Sequence, residues 1–221
     1  MINYHPKDDM LLEHAKGSLN LAMTTAVSAH CELCSTCKEK LAQMTQQHAH
    51  IALIEEDTAA DEFETSIDLD DMLNSIMLLT PSDTSKRQSK SAIVTVKGHE
   101  YILPKAFRQQ VRETWNGLGK ISRMRLETNS GDARASLLHI DAGGEIPQHT
   151  HQGTELTLLL AGHFEDEFNH YGPGDFILLD SDHQHSPKTE DGCLCYTVVD
   201  APLRFTKGLS KLLNPIGELI Y

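Results

Sequence analysis

Residues 82–91, Ser-Asp-Thr-Ser-Lys-Arg-Gln-Ser-Lys-Ser, carry no apolar side chain, and the spacing of apolar residues changes from one side of them to the other. A stretch with nothing to bury does not repay the entropy of joining a core, so it reads as a linker. Before it, apolar residues recur at helical spacing. After it, they come in short runs separated by Gly-rich turns. A chain of 221 residues is long enough for two small domains. The expectation is an α + β multidomain chain: a helical domain over 1–80, a linker over 81–92, and an all-β domain with a C-terminal tail over 93–221.

Four helices are expected in the first part. Met10, Leu11, Leu12 and Ala15 form one that stops at Gly17, and Ser18 is placed to cap a second carrying Leu19, Ala22, Met23, Ala26 and Val27. A third starts near Cys34 and carries Leu41, Met44 and His48. Asp68 caps a fourth with Met72, Leu73, Ile76, Met77 and Leu79 on one side; Pro81 ends it, because the residue before a proline is pushed out of the α region. In the second part, strands are expected at 93–96, 135–140, 156–160, 175–179 and 194–199, the pattern of a barrel or sandwich.

Charge and targeting narrow the class. Lys and Arg number 19 against 32 Asp and Glu, a net charge of −13. Such a field repels nucleic acid and membrane surfaces and favours basic partners. Acids crowd between Glu55 and Asp71 with no Lys or Arg among them, either a solvated face or a docking surface for a basic protein. No run approaches the roughly 18 apolar residues of a membrane helix, and the start has no basic-then-apolar leader. A cytoplasmic protein is expected, in which the five cysteines are read as metal ligands or redox-active thiols.

The string His30-Cys31-Glu32-Leu33-Cys34-Ser35-Thr36-Cys37 contains His-x3-Cys-x2-Cys. At a helix start Cys34 and Cys37 project from one face, with His30 one turn earlier. Two thiolates and an imidazole supply three of the four ligands of a tetrahedral zinc. His5 is the best candidate for the fourth, since it could clip the first helix onto the third; His14 is a competing imidazole and Cys31 a competing thiol.

This pattern with its upstream His resembles the zinc-binding anti-sigma domain of the ChrR type, a family that joins four helices to a C-terminal cupin. The resemblance covers the whole chain. It implies that the helices grip a group IV (extracytoplasmic-function) sigma factor, with zinc tying together helices that bury too little surface alone.

The β region carries the matching half. Gly143-x5-His149-x-His151-x3-Glu155-x6-Gly162 has every spacing of the first cupin motif. His149 and His151 alternate on a strand and so share a face, with Glu155 expected from the next strand of the hairpin. The second motif reads Gly174-x5-Asp180-Ser181-Asp182-His183-Gln184-His185, with Asp180 and Asp182 where the pattern has proline and glycine. Its register selects His185 as the fourth ligand, with His183 as rival. Three imidazoles and a carboxylate suit Zn2+ or another divalent transition metal. Cys193-Leu194-Cys195 places two thiols on one side of a strand with Cα atoms about 6.6 Å apart, near the limit for an unstrained disulfide: two buried wall residues or a redox pair. The Gly192-Cys193 pair also looks like ChrR-type cupins.

The leading expectation is a binding protein without catalytic residues: an anti-sigma factor released under oxidative stress such as singlet oxygen, a trigger implied by the resemblance, with a small molecule or oxidant as the ligand of the cupin. The alternative is a dioxygenase-like cupin enzyme with a helical appendage, since a fold does not fix a function.

Overall fold

The computed structural model describes residues 1–56, 68–79, 92–111, 114–128 and 130–207. Residues 81–91 of the expected linker, Pro81 among them, and most of the acidic run lie outside the described residues, while position 92, the last assigned to the linker, instead opens the first strand. The helices are α1 (Asp8–Lys16), α2 (Leu21–Leu33), α3 (Ser35–Glu56) and α4 (Leu69–Met77). Gly17 closes α1 at φ 72, returning its N–H to the helix carbonyls. The cap of α2 is Asn20 rather than Ser18: the Asn20 side chain accepts the Met23 N–H, while the Ser18 hydroxyl donates back to the Glu13 carbonyl. Ser18 is consumed by the end of the previous helix. Asp68 caps α4 as expected, accepting from the N–H groups of Asp70 and Asp71.

The β part comprises β1 (Ala92–Val96), β2 (His99–Leu103), a 3-10 turn (Lys105–Phe107), β3 (Asn116–Leu118), β4 (Ile121–Leu126), β5 (Arg134–Ile140), β6 (His149–His151) and β7 (Glu155–Gly162). It continues with β8 (Phe164–Glu165), β9 (His170–Tyr171), β10 (Phe176–Leu179), β11 (Gln184–His185), β12 (Cys193–Val199) and β13 (Leu203–Phe205). A large antiparallel sheet runs β10-β7-β12-β5-β4-β3, and a small one runs β11-β6-β13. They face each other across a cavity, giving the expected barrel. β6 and β7 are not a hairpin: β6 pairs with β11 and β13, and β7 with β10 and β12. Gln152-Gly153-Thr154 carries the chain between the sheets, so His149 and His151 meet Glu155 from opposite walls.

The large sheet is apolar on both faces. Along β12, Cys193 and Cys195 pack inward with Ile140, Leu159, Ile177 and Leu179. Leu194, Tyr196 and Val198 point the other way, into a cluster that holds Leu137, Leu156 and Leu158 of the sheet and Ala22, Ala26, Val27 and Ala29 of α2. Each fully buried leucine contributes about 1.5–3 kcal/mol. Polar contacts fix the register of this packing. The Tyr196 hydroxyl donates to the Ala22 carbonyl at 3.0 Å, and the Glu32 carboxylate accepts from the Lys105 and Ala106 N–H groups at 2.8 and 2.9 Å. Residues on either side of the linker therefore share one core.

Candidate metal centres

The first centre forms where α2 gives way to α3. Cys34 has extended backbone (φ −116, ψ 108), which breaks the helix and brings its thiol beside that of Cys37 in the first turn of α3. His30 lies one turn back on α2. His5 arrives from the segment before α1, and the side-chain ligand atoms of His5, His30, Cys34 and Cys37 all lie within 4.8 Å of one another. His5 Nδ1 is 3.5 Å from Cys34 Sγ and 3.4 Å from Cys37 Sγ. Zinc bonds to sulfur and nitrogen at a tetrahedral angle would set these atoms about 3.6 Å apart, so the spacing fits that ion.

Hydrogen bonding fits as well. His30 Nδ1 donates to the Gly174 carbonyl at 2.8 Å, and its Nε2 is buried without a hydrogen-bond partner. A carbonyl only accepts, so the tautomer is fixed and Nε2 presents its lone pair to the site. Burial, reinforced by the neighbouring Cys34, pushes the Cys37 thiol up to about 12 in the absence of a cation. The sequence rivals stand apart from this group: His14 Nε2 is 2.9 Å from the Ser28 hydroxyl, and Cys31 is a buried thiol outside it.

The second centre spans the barrel. His149 and His151 of β6, Glu155 of β7 and His185 of β11 bring their ligand atoms within 4.8 Å of one another. His185 Nε2 is 3.1 Å from His149 Nε2 and 3.5 Å from His151 Nε2, and Glu155 Oε2 is 2.8 Å from His151 Nε2. His149 Nδ1 donates to the Pro147 carbonyl at 3.0 Å, leaving a bare lone pair on Nε2. Three ring nitrogens and a carboxylate aimed at one point need a proton or a metal cation between them. Burial lowers His149 to about 4. For His185 burial pulls down too, but hydrogen bonds to Asp166 and Glu155 outweigh it and carry the ring up to about 9. A proton on His185 would therefore compete with a metal for this site.

His183, the rival in the second motif, is half-buried, lies outside the ligand group and is bonded to Asp180 at 2.7 Å. Sequence reasoning missed Asp166, whose carboxylate lies 3.3 Å from His185 Nδ1 and orients that ring. It also missed Gly174 and Asp175 as neighbours of the first centre, because the contact crosses 144 positions of chain. The cavity at the second centre is about 30 Å³, lined by Leu138, Ile146, His149, Glu155, His185 and Cys195 among others. That is room for a water-sized ligand, far below the roughly 300 Å³ or more of a small-molecule pocket. Cys193 and Cys195 are both free and buried. A thiol–thiol hydrogen bond with Cys193, together with burial, raises Cys195 well above an ordinary thiol.

Residues 110–201 match the family model of the ChrR cupin-like domain. Over 220 residues, 99% of each chain, the sequence is 30% identical to the anti-sigma-E factor ChrR of Cereibacter sphaeroides. The crystal structure of Rhodobacter sphaeroides SigE in complex with the anti-sigma ChrR matches with a TM-score of 0.65 at 26% identity, covering 90% of this chain and 100% of that one. No helix among the described residues is long and apolar enough to cross a membrane.

Proposed function

We propose a function from the premise that this chain belongs to the ChrR family: it is a cytoplasmic anti-sigma factor that sequesters an extracytoplasmic-function sigma factor and releases it when the cupin senses an oxidant such as singlet oxygen. One observation carries the binding half. The apolar side chains of α4 and its C-terminal turn, Leu69, Met72, Leu73, Ile76, Met77, Leu78 and Leu79, are between 48% and 84% exposed, with none buried. Ile51, Leu53 and Ile54 at the far end of α3 are exposed as well. An amphipathic helix with no fully buried side chain among the described residues is suited to a groove on another protein. The curated relative's name and the SigE complex support the identity of that partner.

The division of labour follows the two patterns in the sequence: helices over 1–80 to bind, a linker over 81–92, and the cupin over 93–221 to sense. His5, His30, Cys34 and Cys37 hold a structural zinc that fixes α1 against α2 and α3. Zinc or another divalent transition metal held by His149, His151, Glu155 and His185 would supply a Lewis-acidic centre for the sensed oxidant, with Cys193 and Cys195 the candidate redox thiols of the adjoining barrel wall. The narrow cavity favours a sensor over an enzyme, because it admits no organic substrate. A sensed ligand shifts the equilibrium only through different affinity for the sigma-bound and free states.

The test is direct. Expressed with its candidate sigma factor, the full chain co-purifies as a complex and blocks transcription from that sigma factor's promoter in vitro. Unimpeded transcription at saturating chain would refute the reading.

A further inference from the structure

We propose that the Gly174–Asp175 turn of the cupin is a positioning element of the first metal centre, so that the sensor half holds two of the four zinc ligands in place. The inference rests on the zinc reading above and concerns what keeps those ligands there. Among the described residues, the turn bonds one of the two histidine ligands directly, His30, and the two residues that precede the other, His5. The Gly174 carbonyl accepts from His30 Nδ1 at 2.8 Å and so sets the ring's tautomer and direction. Asp175 is 1% exposed, and its Oδ1 accepts from the N–H groups of Asn3 at 2.7 Å and Tyr4 at 3.0 Å. Its Oδ2 accepts from the Gly172 N–H at 2.8 Å. The Tyr4 carbonyl in turn accepts from the Phe176 N–H at 3.0 Å. Residues 3 and 4 are thereby laced to the start of β10, and His5 is the next residue.

The lacing is specific to these residue types. Gly174 has φ 94, a backbone conformation that favours glycine, and a Cβ there would press on the Ile2 side chain at 2.4 Å from Cδ1. A buried carboxylate facing three N–H groups is a complete acceptor set, and nothing apolar of the same size replaces it. Without it the segment carrying His5 has α1 on one side only. His5 itself is exposed, so its side chain gains little from packing.

The same strand also leads to the other centre. At its far end Leu179 pairs with Glu155, a ligand of the cupin metal. One short strand, Phe176–Leu179, therefore joins the groups that position His5 and His30 to a ligand of the second site. A change of coordination at Glu155 has a path of few residues to the zinc that organises the sigma-binding helices.

The experiment loads the full chain with cobalt, because thiolate-to-cobalt charge-transfer absorption reports only the centre with cysteine ligands. Loss of that absorption to excess chelator is followed at a temperature well below unfolding, with thermal unfolding measured in parallel. Removing an outer-sphere partner of a ligand typically costs 10–100-fold in metal affinity or activity; Asp175 fixes the backbone next to a ligand instead, so Asp175→Asn should lose cobalt about fivefold faster than the unaltered chain. A chain lacking residues 1–4 loses every bond that residues 3 and 4 make to the turn and β10 with the barrel untouched and should show the same acceleration, and it decides the matter if Asp175→Asn fails to fold. Loss rates within twofold of the unaltered chain in folded variants would overturn the proposal. Absence of thiolate–cobalt absorption in the unaltered chain would instead remove the metal site itself, and with it the object being positioned.

Discussion

Replacing Leu73 and Ile76 together with alanine should cripple sigma binding and leave the free protein intact. Both lie on α4, with Leu73 56% and Ile76 54% exposed in the free chain. Full burial of such a side chain is worth about 1.5–3 kcal/mol, and only the exposed half remains to be gained from a partner, roughly 0.8–1.5 kcal/mol each. Truncating both removes about 1.5–3 kcal/mol, a dissociation constant weakened some 10–150-fold. Neither side chain is buried in the chain's own core, so the midpoint of thermal unfolding should stay nearly where it was. Binding is measured by titrating a labelled sigma factor with the purified full chain, and metal content is checked beside it. A dissociation constant within threefold of the unaltered chain would show that α4 is not the grip, and the reasoning from its uncovered face would fall.

Other expectations are as concrete. Cys34→Ala with Cys37→Ala should lose one metal ion per chain and the inhibition of transcription together, measured by elemental analysis and run-off transcription; either loss without the other breaks the link between zinc and grip. In metal-stripped protein, His185 has its pKa raised from 6.5 to about 9. The stability it contributes is fully present below the unfolded value and is lost as pH rises toward 9, so denaturant midpoints should decline over that window and His185→Gln should flatten the decline. Adding Zn2+ to the same protein near pH 8 should release about one proton per cupin site, read with an indicator dye in weak buffer. Leu158→Ala, at a fully buried position between the sheet and the helices, should cost about 2–5 kcal/mol. It should lower the helical and β unfolding signals in a single transition; two separate transitions would contradict the shared core.

Much of this was legible in the chain. The ligand sets could be read because metal chemistry fixes both residue type and local spacing: His30, Cys34 and Cys37 within eight positions, His149, His151 and Glu155 within seven. Strand positions such as 135–140 and 194–199 followed from apolar runs. What could not be read is what depends on neighbours far apart in sequence. The pairing of β6 with β11 and β13 rather than β7 and the carboxylate of Asp166 behind His185 are set by closure of the barrel, and the reach of Gly174 to His30 by the packing of α2 on its outer wall. One signal was present and passed over. Leu156-Thr157-Leu158-Leu159-Leu160 is apolar nearly throughout rather than alternating, the mark of a strand covered on both faces. The Ser18 cap failed for a local reason, since one hydroxyl cannot serve the end of α1 and the start of α2.

That doubly covered sheet bears on how such a molecule can change over generations. A self-contained barrel with a polar outside is portable: it can be cut from one gene and spliced to another. Here excision would leave Leu137, Leu156, Leu158, Leu194 and Tyr196 as an oily exterior, and would strip α2 of the surface its alanines rest on. A new detector therefore cannot simply be exchanged for the old one. It must evolve inside the existing barrel, by altering what lines the small cavity while the outer wall stays fitted to its helix.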